Sequence, residues 1–287
     1  MQQVLDTLFK LIPELSPKLR VVARLILDKP NCVATMSMRA LAREAGVTPP
    51  TMIRMANRLG FERYVEFRRV FQDAVTHPDF DQKASLLQEA AILSGESAVI
   101  GELSEAVQTN VNTFYRHIDL ESLSTAADLI LNSSSTYIAA SGALHWIASY
   151  MQYVGRMIVP HLRAPRASGS PLVEGFYPIS KSDIVFGISV HPYARQTIEA
   201  IEYSISKEAK FIYLTDSRAA PLSSKAEVLL ITSTKSPQFF PSMVSVVAAI
   251  EALTAIIAAR GGSKSIAALS EIVEAKKKYN IYIENFQ

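Results

Sequence analysis

Thr48, Pro49, Thr51, Ile53, Arg54, Asn57 and Arg58 lie close together in the chain and combine neutral hydrogen-bonders, one hydrophobe and two guanidinium groups without a carboxylate. Such a set suits a polyanion, because guanidinium forks pair with phosphate oxygens or with the edge of a guanine, while amide and hydroxyl groups add neutral contacts. The segment Ser37 to Gly60, SMRALAREAGVTPPTMIRMANRLG, has the spacing needed to present them. Ser37 is a candidate N-cap for a first helix from about Met38 to Ala45, and Gly46 supplies a tight turn. Thr48 is the candidate N-cap of a second helix. Pro49 and Pro50 fall in its first turn, where a missing N–H costs nothing, and Gly60 stops it. Leu41, Ala42, Ala45, Val47, Met52 and Met55 are placed to be buried between two short crossing helices. On this pattern the polyanion-suited residues are left off the buried stripe. The plain alternative is a helical hairpin with a solvated face; the coincidence of cap, turn and charge signals favours a helix-turn-helix that meets DNA.

Charge is distributed accordingly. Residues 1–77 hold twelve Lys or Arg against seven Asp or Glu, a net of +5, so the whole-chain charge of +2 leaves −3 for the remainder. A basic front and a mildly acidic back are expected when one domain meets phosphates and the other does not. Arg63, Arg68 and Arg69 either add phosphate contacts or form a solvated helix face.

The elements needed to position these groups follow from periodicity. Val4, Leu5, Leu8, Phe9 and Leu11 give an amphipathic first helix ended by Pro13; Ser16-Pro17 starts a second, ended by Lys29-Pro30; Tyr64 to Ala74 is a further helix. The sequence therefore predicts an all-α domain over 1–77, a weakly helical, polar connection over 78–105 interrupted at Gly95 and Gly101, and a second domain over 106–287. With 287 residues and 49% hydrophobic content, the chain can bury two cores. In the second domain, apolar runs at Thr136 to Ala140, Met157 to Val159, Asp183 to Ser189, Phe211 to Leu214 and Val228 to Ile231 alternate with helical stretches. Continuous apolar strands joined through helices imply a doubly wound, parallel α/β sheet. Such a sheet binds small molecules outside the carboxyl ends of its strands, which places a candidate site at Ser141-Gly142, Ser189 to Gln196 and Thr215-Asp216-Ser217.

No uncharged apolar run of about 18 residues is present; Met243 to Ala259, the nearest, is interrupted by Glu251 and reads as a buried or subunit-facing helix. Asp6 and Lys10 interrupt what would be the core of a signal peptide, and the single Cys32 has neither a disulfide partner nor metal-binding companions. These features predict a reducing cytoplasm, no membrane, no metal and no cofactor.

LSPKLRVVARLILDKP and SMRALAREAGVTPPTMIRMANRLGF, followed by TYIAASGA, DIVFGISV, KFIYLTDS and APLSSKAEVLL, resemble the RpiR-type bacterial transcription regulators across nearly the whole chain. The resemblance implies an N-terminal helix-turn-helix joined to a sugar isomerase (SIS) domain. It further implies a homodimer or homotetramer in which a metabolite, commonly a phosphorylated sugar, changes affinity for double-stranded operator DNA. This chain departs from the phosphate-holding SIS pattern. The Gly-x-Gly-x-Ser loop reads Ala140-Ser141-Gly142-Ala143-Leu144, and Ser-x-Ser-Gly-x-Thr reads Ser189-Val190-His191-Pro192-Tyr193-Ala194, with Arg195 directly after. Most of the hydroxyl cradle is gone, and His191, Tyr193 and Arg195 are candidates to hold a carboxylate or phosphate in its place; alternatively His191-Pro192-Tyr193 is simply a rigid turn. His145 is either a ligand neighbour or a satisfied core or interface residue, and Asp216 reads more readily as a helix cap. Two other functions remain open: a sugar-phosphate isomerase-like enzyme, which would need an acid or base such as His145 or His191, and a DNA-binding protein whose SIS domain only oligomerises.

Overall fold

The computed structural model describes residues 2–76, 80–166 and 170–282. The chain divides into two compact units, Met1–Ala90 and Ala91–Gln287.

The first unit is helical: α1 (Gln2–Leu11), α2 (Pro17–Asp28), α3 (Pro30–Thr35), α4 (Met38–Glu44), α5 (Pro49–Arg58) and α6 (Tyr64–Thr76). Its core gathers one apolar stripe from each helix, with Leu8, Val22, Ile26, Val33, Leu41, Met52, Met55, Phe67 and Phe71 all sealed from solvent. Ser16 stands at the start of α2 as expected from Ser-Pro, but its side chain makes no cap bond; Pro17 fixes the first turn instead. Lys29 ends α2, and Pro30, which reads as a terminator, also opens the short α3.

α7 (Phe80–Ser94) runs across the division between the units and is followed by α8 (Glu96–Arg116). The stretch expected as a weakly helical connection is thus helical almost throughout. Gly95 breaks it, with φ +80, whereas Gly101 is an ordinary residue inside α8. Of the residues Thr76 to Asp81, where the pattern breaks in the sequence, His77, Pro78 and Asp79 lie outside the described residues, while Thr76 ends α6 and Phe80 and Asp81 open α7.

The second unit continues with α9 (Leu120–Asn132), β1 (Thr136–Ala139), α10 (His145–Gly155), β2 (Leu162–Arg163), β3 (Ile184–Ile188), α11 (Arg195–Ser206), β4 (Lys210–Thr215), β5 (Val228–Ile231), α12 (Val244–Arg260) and α13 (Gly262–Lys278). The five strands form one parallel sheet in the order β2-β1-β3-β4-β5. One face is covered by α9, α10 and α12, whose Ile130, Ile147, Met151, Ile250 and Leu253 pack on Ile138, Phe186 and Leu214. The other face takes α11 and a 3-10 turn at Leu172–Phe176 over Tyr137, Val185, Phe211 and Tyr213. Gly187 permits the close approach of α11, since a Cβ there would lie 2.6 Å from Ile201 Cδ1. The strand expected at Met157 to Val159 is instead a turn after α10, closed by Ile158 and Val159 N–H bonds to Gly155 O, and the edge strand comes three residues later at Leu162–Arg163. Val159 is nevertheless buried, and a short apolar run cannot by itself distinguish a strand from any other buried segment. α12 is apolar because it lies in the core. Among the described residues no single helix is long and apolar enough to cross a membrane.

Candidate functional site

Two local designs build the helix-turn-helix. Ser37 Oγ accepts the Ala40 N–H at 3.2 Å and so caps α4. At the other end Gly46, at φ +63, closes a Schellman turn: its N–H bonds Arg43 O at 3.0 Å, and Val47 N–H bonds Ala42 O at 2.8 Å. The same pair of bonds ends α5, from Gly60 N–H to Asn57 O and from Phe61 N–H to Ala56 O, with Gly60 at φ +89. Both turns bring an apolar residue, Val47 or Phe61, back onto the core, and the first of them joins α4 to α5.

On α5 the structure leaves Ile53, Arg54, Asn57 and Arg58 exposed and Pro49 half-buried. Thr51 is a correction: expected on the open face, it is 2% exposed and lies with Met52, Met55 and Ala56 on the buried stripe. It sits one helical turn before Met55, and its hydroxyl disguises the spacing. Thr48 does occupy the N-cap, but its hydroxyl makes no cap bond and lies 3.2 Å from Thr51 Oγ1. Arg54 donates to the same Thr51 oxygen at 3.4 Å. The basic residues beyond the motif separate: Arg68 donates to Val33 and Ala34 carbonyls at the end of α3, while Arg63 pairs with Glu66 in solvent. Arg68 therefore ties two helices together.

In the second unit the strand order reverses between β1 and β3, so the crevice lies between the loops that follow them. Ser141 and Gly142 end the β1 side, with Gly142 at φ +58. Ser141 Oγ lies 2.8 Å from Thr197 Oγ1 of α11, a bond that spans the crevice floor. On the β3 side, Ser189 is fully buried and its hydroxyl has no completed hydrogen bond. The same holds for the Tyr213 hydroxyl, whose phenol is pushed above its ordinary value by burial, an effect that the neighbouring Thr215 and Ser189 hydroxyls partly oppose.

Asp216 does not cap a helix. It clamps the β3 loop, accepting the His191 N–H at 3.2 Å and the Tyr193 hydroxyl at 3.0 Å. Burial and the Asp216 carboxylate both hold the Tyr193 phenol far above its usual range, so this hydroxyl stays protonated and donates. Arg195 opens α11 with an exposed guanidinium paired to Glu199 at 2.9 Å, a solvated i,i+4 pair on the helix surface. His145 is half-buried and lies 3.4 Å from Ser149 Oγ. The structure thus brings Ser141, Ser189, His191, Tyr193, Thr215 and Asp216 to the strand ends and adds Thr197 and Tyr213. Thr197 and Tyr213 were hidden in the sequence among apolar residues; their polar atoms on sheet-facing positions were the available signal.

The geometry is that of a helix-turn-helix unit followed by a ligand-binding α/β unit. The helix-turn-helix domain of the rpiR family matches residues 2–77, and the SIS domain matches residues 129–259. The chain belongs to the RpiR-type transcription regulators, whose partner is DNA. Two uncharacterized HTH-type transcriptional regulators are similar to it. One, from Caldanaerobacter subterraneus subsp. tengcongensis, is 22% identical over 99% of this chain and 96% of that protein. The other, from Haemophilus influenzae, is 22% identical over 81% of this chain and 80% of its own length. Among solved structures, the sugar isomerase domain of the RpiR transcription factor from Sphaerobacter thermophilus matches with a TM-score of 0.57 and 21% identity, over 61% of this chain and 98% of that one. The Vibrio vulnificus NanR protein complexed with ManNAc-6P matches with a TM-score of 0.57 and 18% identity, over 98% of this chain and all of that one.

Proposed function

We propose that this chain is a ligand-responsive regulator that reads operator DNA with α5 and senses a sugar phosphate or related anionic sugar metabolite at the strand ends between β1 and β3. It acts by binding and not by catalysis. The observation that carries the reading is the pairing, in one chain, of a carboxylate-free exposed face on α5 with a crevice floor that holds an unpartnered buried hydroxyl, Ser189. A buried hydroxyl without a partner costs free energy that a bound ligand would recover. The ManNAc-6P bound to the structurally similar NanR supports the metabolite class.

Two copies of the chain place their α5 helices in successive major grooves of a roughly palindromic operator, about 34 Å apart. Arg54 reads a base edge, Ile53 lies against a thymine methyl, and Asn57 completes the base contacts; Arg58, Pro49 and the Thr48 hydroxyl sit against the phosphates. Ser37, at the start of α4, adds a backbone contact. In the crevice, Ser141, Gly142, Ser189, His191 and Tyr193 surround the metabolite, and Arg195 at the mouth supplies its positive charge. The metabolite shifts DNA affinity only by its difference in affinity for the two arrangements of subunits.

Thermal unfolding of the full chain with a panel of sugar phosphates and sugar acids tests the sensing half. A ligand at about 100 times its Kd adds about 2.7 kcal/mol. One member of the panel is expected to raise the melting temperature of the wild type and to leave Ser189→Ala unchanged; a panel without effect, or an equal rise in both proteins, contradicts the assignment.

A further inference from the structure

The burial of Thr51 assigns it a role other than touching DNA. Its side chain lies beneath the exposed face of α5, and its oxygen is shared between two groups of that face: Arg54 Nη2 at 3.4 Å and Thr48 Oγ1 at 3.2 Å. The chemistry fixes the direction of the first of these bonds. A guanidinium has no acceptor, so Thr51 Oγ1 must accept from Arg54. Between Thr51 and Thr48 either hydroxyl can donate, because Thr51 Oγ1 keeps a second lone pair after accepting from Arg54. Arg54 is walled on its other side by the start of α2, where Ser16, Pro17, Lys18 and Leu19 line a cleft with Thr51 and Arg54.

We infer that Thr51 is a positioning residue for DNA recognition: its buried hydroxyl holds Arg54 in a base-reading conformation. The inference rests on the proposed use of α5 as the operator-reading helix. It predicts that specificity can be lost without removing any group that touches DNA, because a guanidinium released from its anchor samples more rotamers and loses its bidentate geometry.

The test is selection from a randomised duplex library by the full-length protein, at one stated salt concentration, with melting temperatures measured on every variant. Thr51→Val replaces the hydroxyl by a methyl of similar shape, Thr51→Ala removes it if valine disturbs folding, and Thr51→Ser restores it. Thr51→Val and Thr51→Ala are expected to lower the preference at one base step by about fivefold or more while retaining binding to non-specific DNA. Thr51→Ser is expected to keep the wild-type preference, and Thr51→Val in an Arg54→Ala background to change nothing further at that base step. A valine or alanine variant with intact base preference overturns the inference. So does a serine variant that fails like valine, or a uniform loss of affinity for all sequences. A wild type that binds DNA with no base preference removes the reading helix itself, and this role with it; a wild type with preference that survives Thr51→Val removes this role alone.

Discussion

At the scale of single residues the two proposed recognition surfaces differ in what a substitution should do. Arg58 is exposed near the end of α5 and is proposed to meet a phosphate, so Arg58→Ala is expected to weaken all DNA sequences alike and to reduce the salt slope by about one. Arg54→Ala should also relax base preference, and equal losses of preference in the two variants, measured by competition binding across a salt series, would contradict this division. In the crevice, Tyr193 donates to Asp216 from a half-buried position, so Tyr193→Phe is expected to cost about 1 kcal/mol in urea unfolding near neutral pH. The pH dependence has a definite sign. A phenol whose pKa is raised in the folded state contributes stability that is complete below its unfolded value of about 10 and is lost as pH rises through the folded value. The wild type should therefore lose more stability than Tyr193→Phe on going from pH 9 upward, and parallel curves would argue against the clamp. Ser189→Ala is expected to leave the unliganded protein about as stable as the wild type, because the hydroxyl it removes lies beside the Tyr213 hydroxyl without completing a hydrogen bond.

At the scale of elements, much of the architecture was legible because the controlling signals are local. Ser37, Gly46 and Gly60 announce their turns by residue type, and the structure returns a cap at the first and Schellman closures at the other two. Of the five apolar runs read as strands, four are strands; the fifth, at Met157 to Val159, has the same composition but owes its burial to a turn. Thr51 shows the converse: its polar side chain signals exposure, but its spacing from Met55 puts it in the core. The clamp of Asp216 on the His191 to Tyr193 loop depends on residues far apart in the chain meeting at adjacent strand ends, which no spacing rule reveals. The turns also carry a prediction. No atom lies within 4 Å of where a Cβ on Gly46 would stand, so Gly46→Ala meets only the backbone cost of φ +63 and should lower stability by about 1–2 kcal/mol in thermal or urea unfolding, with the native fold retained. A neutral substitution would mean that the turn relaxes.

At the scale of the whole molecule, the chain joins a basic helix-turn-helix unit to a parallel α/β unit, and in the proposed function the second governs the first. The measurement that tests this most directly is binding of the purified full-length protein to a labelled library of the DNA flanking its own gene, at stated salt, with and without candidate sugar phosphates and sugar acids. The account predicts retention of a roughly palindromic sequence whose complex is strengthened or weakened by one anionic sugar compound and is unaffected by the others. Binding that falls equally with salt for every fragment, and that no compound alters, would contradict it.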